Sequence, residues 1–392
     1  MSELLESRWL DTKNALLEGL QGNKKSVMAT TLENTRRYLS ESATAGATSA
    51  GNVATLNRVI LPVIRRVMPT VIANELVGVQ PMTGPVGQIH TLRVRYSDTV
   101  AANGGVVGTA AGEEALSPFK IAEQYSGANT GRAASTAVLE GAAGNKMSIQ
   151  ILKQTVEAKT RKLSARWTFE AAQDAQSMHG IDVEAEIMAA LAQEITAEID
   201  QEVLGSLLTL AGTAAQTYNQ AAVSGTATFV GDEHAALAVQ INRVSNLIAQ
   251  RTRRGAGNWA VVSPFALTIL QSATTSAFAR TTEGTFEAPT NTKMVGTLNN
   301  AMKVYVNTYA ADDAAVLIGY KGSSESDAAA FYCPYIPLMS SGVVLDPATF
   351  EPVVSFMTRY GYVELNNTAS SLGNAADYLA KVAITNGNVS FQ

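Results

Sequence analysis

The chain is poor in the residues that carry chemistry. Its single cysteine, Cys333, excludes a disulfide framework within the chain. That residue lies in the apolar run Phe331-Tyr332-Cys333, where a thiol packs as a small, inert hydrophobe. The three histidines, His90, His179 and His234, stand far apart, so neither a His-rich metal site nor a His-dependent triad has material to draw on. Each is expected to be structural. No apolar run reaches the roughly 18 residues of a membrane span, and the acidic opening Met1-Ser2-Glu3 is unlike a signal peptide, so no membrane is expected. A basic surplus is missing too. With 29 Lys and Arg against 34 Asp and Glu, the net charge is −5, whereas coating nucleic acid requires cations to neutralise phosphates. Any nucleic acid nearby is a neighbour rather than a ligand.

Three groupings imitate sites. Arg251-Thr252-Arg253-Arg254-Gly255-Ala256-Gly257 places arginines beside glycines, as an anion loop would. The order is wrong: a phosphate loop runs strand, glycines, helix, whereas here a helix precedes the glycines and a strand follows. A basic helix C-terminus with a glycine stop is the plain reading. Glu194, Glu198 and Glu202 recur every fourth residue but have no His at a helical offset, as expected of a solvated face. Asp312-Asp313 lacks the alternating oxygen ligands of a calcium loop. No catalytic residue, metal site or cofactor is expected.

What the chain has is length and apolar material. Its 392 residues, 46% of them hydrophobic, allow two to three domains. The organising stretch is Ile149 to Gly212. It begins with an extended segment, Ile149 to Phe169, and ends in the longest clean helix, Asp182 to Leu210. In that helix Ile187, Leu191, Ile195, Ile199, Val203 and Leu207 form one apolar face, Asp182 caps the start and Gly212 stops it. At 1.5 Å per residue the helix is about 43 Å long, a spine for a whole domain. In the extended segment the apolar parity changes near Arg161 and Lys162. A bulge there, or passage from one environment to another, accounts for the change.

The rest falls around this spine. Residues 3 to 40 predict two short amphipathic helices, the second with Met28, Leu32, Thr35 and Leu39, followed by a Ser/Ala/Gly linker from Ser42 to Ala54. Leu56 to Val79 mixes Arg58, Arg65 and Arg66 with aliphatics and prolines, an arm lying on another surface. Ile89 to Tyr96 is a two-faced strand, and Thr99 to Asn145 is too poor in large apolar residues to hold its own core. The two read as a projecting hairpin that returns through Ile149 to Phe169 and is ordered by neighbouring molecules. Gly231 to about Val344 alternates helices and strands, with Ala329 to Tyr335 as its edge. Two late strands, Pro352 to Glu364 and Tyr378 to Ile384, are expected to return to the first domain.

Several blocks, in one order, resemble the major capsid proteins of contractile-tailed, myovirus-type double-stranded DNA bacteriophages. They are Met68-Pro69-Thr70 through Gly84-Pro85, Val156-Glu157-Ala158-Lys159-Thr160-Arg161-Lys162-Leu163, Ala171-Ala172-Gln173-Asp174, His179-Gly180 and Gly255-Ala256-Gly257-Asn258. Gly319-Tyr320-Lys321-Gly322, Tyr332-Cys333-Pro334-Tyr335 and Thr358-Arg359-Tyr360-Gly361 continue the series.

The resemblance implies an α+β chain with the tailed-phage and herpesvirus shell fold. Its divisions would be a propeptide-like segment 1–41, linker and N-arm 42–80, E-loop 81–150, P domain 151–230, A domain 231–344 and P-domain return strands 345–392. It also implies a non-enzymatic subunit forming hexamers and pentamers of an icosahedral head around double-stranded DNA, assembled in the host bacterial cytoplasm. Scaffold, portal, prohead protease, and decoration or vertex proteins would be its partners. Leu39 and Glu41 resemble the protease's hydrophobic-x-Glu signal. Arg65, Arg66, Lys159, Arg161, Arg253 and Arg254 are the candidate contacts between subunits. Two alternatives stand beside this reading: an encapsulin-like nanocompartment shell enclosing cargo enzymes, and a nucleotide-using enzyme built on Gly231 to Val344.

Overall fold

The structure is a computed structural model. It describes residues 9, 13–14, 17, 22, 25–34, 72–102, 108–113, 115, 125–127, 133–140, 144–179, 182–219, 230–252, 254–273, 278–280, 293–299, 301–311, 313–349, 351–365 and 375–385. Two compact units are built from interleaved segments. The first takes Met1–Gly87, Val156–Ser206 and Phe331–Val363; the second takes Gln88–Thr155, Leu207–Ala330 and Glu364–Gln392.

The first unit is organised on a five-stranded sheet in the order β1 (Gly78–Val79), β11 (Ala330–Ser340), β13 (Pro352–Glu364) and β12 (Val344–Leu345), with β4 (Lys159–Arg166) also pairing β13. In β13 the even positions Val354, Phe356, Thr358 and Tyr360 are buried and the odd ones from Val353 to Arg359 half-buried, the period-two pattern of a two-faced strand. The antiparallel register places Leu163 opposite Phe356 and Arg161 opposite Thr358. Above it α1 (Phe169–His179) is followed by α2 (Val183–Leu210), the long helix. The Asp182 carboxylate accepts from Glu184 N at 3.1 Å and Ala185 N at 3.4 Å, and Gly212 adopts φ +65° where the helix stops. Leu191, Ile195, Ile199, Val203 and Leu207 are buried, while Ile187 near the start is half-buried.

The second unit contains a seven-stranded sheet in the order β5 (Gln216–Asn219), β14 (Leu379–Thr385), β10 (Val316–Gly319), β6 (Trp259–Val262), β9 (Met302–Val306), β8 (Lys293–Leu298) and β7 (Phe278–Arg280). Helices α3 (Val230–Thr252) and α4 (Pro264–Ser272) cover it, and Leu237, Ile241, Val244 and Ile248 of α3 belong to its core with Val262, Val304, Ile318 and Val382. Ser263 caps α4 by accepting from Ala266 N, with Pro264 in the first turn.

Several sequence expectations are corrected. The extended segment is two strands, β3 (Met147–Glu157) and β4, broken at Ala158, and Phe169 already begins a helix. The inward face changes there: Gln154 and Val156 face in from even positions, Arg161, Leu163 and Ala165 from odd ones. The change thus lies about three residues before the predicted point, because Arg161 faces inward despite its charge. Ala330–Ser340 is not an edge of the alternating domain but a buried strand beside β13. Leu379–Thr385 does not return to the spine's unit; it lies between β5 and β10 of the seven-stranded sheet. Leu379, Ala380, Val382 and Ile384 are all buried, which suits a strand with neighbours on both sides. β7 and β8 pair antiparallel at one end of the seven-stranded sheet.

Candidate assembly surface

Arg161 holds the first unit's sheet to its spine. Its side chain donates through Nε to Tyr360 Oη, through Nη1 to Glu198 Oε2 and through Nη2 to Glu202 Oε2, each at 2.6 Å. The Tyr360 hydroxyl also donates to Glu202. A planar guanidinium suits this fork, since it binds two carboxylates and a phenol without changing rotamer. Burial works to raise the Glu202 carboxyl, but hydrogen bonds from Tyr360 and Arg161 outweigh it and hold it below the usual range. Burial, helped by Glu202, pushes the Tyr360 hydroxyl up. Arg161 is thus engaged within its own subunit, and Glu198 and Glu202, against expectation, do more than face solvent. Sequence periodicity placed the acids on the exposed side of the helix but had no means of seeing that β4 reaches them.

The other proposed contacts fare differently. Lys159 is exposed at the start of β4. Arg254, 58% exposed, donates to Asp327 Oδ1 at 2.7 Å beside Tyr320 and Tyr378, so it is partly engaged in cis. Arg65, Arg66, Arg253, Leu39 and Glu41 lie outside the described residues. Cys333 is buried, and burial pushes its thiol up to about 12, the opposite of a nucleophile. His234 is buried too, and burial lowers its pKa against the opposing charge of Glu233. Among the described residues no group of three or more His, Cys, Asp or Glu is placed to hold a metal ion, and no helix is long and apolar enough to cross a membrane.

The hairpin of β2 (Val86–Tyr96) and β3 is a sheet of two strands. Beyond it the chain does hold a small core of its own, contrary to expectation: Tyr96, Val100, Ala115 and Tyr125 are buried together. The rings of Tyr96 and Tyr125 lie 4.3 Å apart, and Asp98 Oδ2 accepts from Lys146 N at 2.7 Å. Four residues suffice because tyrosines bring large area and a hydroxyl that binds Lys146 O. The face of β3 is the opposite case. Met147, Ile149 and Ile151, two residues apart and hence on one side, are 53%, 68% and 66% exposed. Val138 and Leu139 on a short neighbouring helix are exposed as well. Single exposed aliphatics are ordinary, but here three stand in one aligned row on a two-stranded sheet.

Comparison with known proteins gives the family. The family model "Major capsid protein Gp23" matches residues 53–384. The major capsid protein of Enterobacteria phage T4 is 31% identical over 86% of this chain and 80% of its own length. That of Vibrio phage KVP40 is 29% identical over 85% of this chain and 82% of its own. Among solved structures, a Mycobacterium phage Adephagia chain aligns at TM-score 0.47 and 12% identity, covering 80% of this chain and 90% of its own; the sequence relatives, not this likeness, carry the family. They set the encapsulin-like and nucleotide-enzyme alternatives aside. This α+β chain belongs to the Gp23 family of major capsid proteins, structural subunits of bacteriophage heads rather than enzymes.

Proposed function

We propose that the chain closes an icosahedral head as hexamers and pentamers of itself, with the β2–β3 hairpin as the element each subunit lays on its neighbour. The observation that carries this is the row Met147, Ile149 and Ile151, apolar yet exposed in the single subunit. Burying it at about 25 cal/mol per Å² gives a modest gain per contact, and repetition around a closed shell multiplies it. Lys159 and the exposed side of Arg254 serve as polar contacts at the rim. Double-stranded DNA is enclosed as a non-specific neighbour, consistent with the net charge of −5. Assembly takes place in the host bacterial cytoplasm with scaffold, portal and prohead protease, the last acting near Leu39 and Glu41; vertex and decoration proteins join the shell.

Negative-stain imaging of the purified full-length protein tests the reading. Closed, regular shells are expected. A protein that stays monomeric at high concentration with and without scaffold contradicts it.

A further inference from the structure

The N-terminal residues 25–34 carry an unusual polar contact. Val27, Met28, Thr31, Leu32 and Asn34 are all buried. Thr31 satisfies itself within the helix by donating to Met28 O at 3.0 Å. Asn34 does not: its Nδ2 donates to Met82 O at 2.8 Å and to Tyr335 O at 2.9 Å. A side-chain amide has two hydrogens, and both are engaged. The acceptors lie on separate stretches of chain, and Met82 N itself donates to Pro334 O at 3.0 Å. Asn34 therefore prolongs, with a side chain, the ladder that β1 begins along β11.

Met82 is also the packing centre of the hairpin root. A Cβ on Gly87 would sit 3.5 Å from Met82 Cε and 3.7 Å from Val156 Cγ1. One on Gly361 would meet Val156 Cγ1 at 3.1 Å and Met82 Sδ at 3.4 Å, too tight without movement. Ala158 N donates to Pro85 O at 2.9 Å across the same joint. Asn34 thus holds the backbone of the residue whose side chain fills the joint. On the far side of the helix, Trp9 Nε1 and Lys13 Nζ both donate to Glu33 Oε2, at 3.3 and 3.2 Å, binding the first helical stretch to the second.

We propose that residues 25–34 form a detachable brace on the hairpin root. Docked, they keep Met82, Gly87, Val156 and Gly361 in one arrangement; undocked, they leave the Met82 and Tyr335 carbonyls without their buried donor and loosen the joint. Apolar burial holds the segment on, and Asn34 sets where it sits.

Hydrogen exchange on the unassembled full-length chain tests the brace independently of whether shells close. The probes are the amides of Met82 and Ala158, with Val261 and Ile318 as controls in the other unit. Asn34→Leu should speed exchange at both probes by about tenfold and leave the controls unchanged. Probe rates within about twofold of the unmodified chain overturn the proposal. Should Asn34→Leu unfold the whole chain, Asn34→Ser, which keeps one hydroxyl donor, should give an intermediate acceleration; unchanged rates in that variant overturn it equally.

Discussion

The seven-stranded sheet and the β2–β3 hairpin belong to the same unit yet solve opposite problems. In the sheet, α3 and α4 bury Ile241, Ile248 and Ile269 against Val262, Val304, Ile318 and Val382, and every described strand pairs with another. Among the described residues of the hairpin a small tyrosine cluster is closed, and the row on β3 stays exposed. The first region closes its apolar surface within itself, and the second leaves part of it open. Marginal stability sharpens the contrast, because a subunit with only a few kcal/mol in hand tolerates damage to one region and not the other.

The largest effect is expected in the sheet's core. Ile241→Asp places an unpaired carboxylate where no water reaches, costing about 4 kcal/mol and giving insoluble protein on expression. Ile195→Asp in the spine should do the same. Soluble, assembly-competent protein from either variant would remove the corresponding core assignment.

Next is the Arg161 clamp. Arg161→Met removes three hydrogen bonds and leaves two carboxylates facing an alkyl chain. Because the group is about a third exposed, solvent screening limits the loss to about 1–2 kcal/mol by urea denaturation. The sign with pH follows from Glu202, whose carboxyl sits below its ordinary value of 4.5. A depressed acid contributes stability above its unfolded pKa and loses it as pH falls through the folded one. Stability of the unmodified chain should therefore fall below about pH 4.5, and Arg161→Met should flatten that dependence. An identical acid slope in both proteins would show that the clamp does not set it.

The smallest effect on folding is expected on the hairpin. Replacing Met147, Ile149 and Ile151 together with Ser should change subunit stability by about 0.5 kcal/mol or less, since exposed side chains lose little on truncation. Thermal unfolding of unassembled protein measures this. A large drop would mean that the row packs within the subunit, erasing the contrast with the sheet.

Local pattern announced much of this, and distance concealed the rest. The spine was legible because its apolar repeat, the Asp182 cap and the Gly212 stop all act within a few residues. The Ser263 cap with Pro264 and the buried run Trp259–Val262 are local patterns of the same kind. Strand partners were not: nothing in Leu379–Thr385 names β5 or β10 as its neighbours, 60 or more residues away in sequence. The Arg161 clamp was not foreseen because a lone arginine on a strand gives no sign of acids 37 and 41 positions later. Asn34 was missed for the same reason, with one acceptor 301 residues distant. The exposed row lay inside a strand assigned from alternation, but alternation tells which residues share a face and not whether that face is covered.

The most direct measurement compares solvent access at Met147–Ile151 in dissociated subunits and in closed shells, by hydrogen exchange or hydroxyl-radical footprinting. The hairpin's role as the element laid on a neighbour predicts ready access in the subunit and strong protection in the shell. Equal access in both states would contradict it.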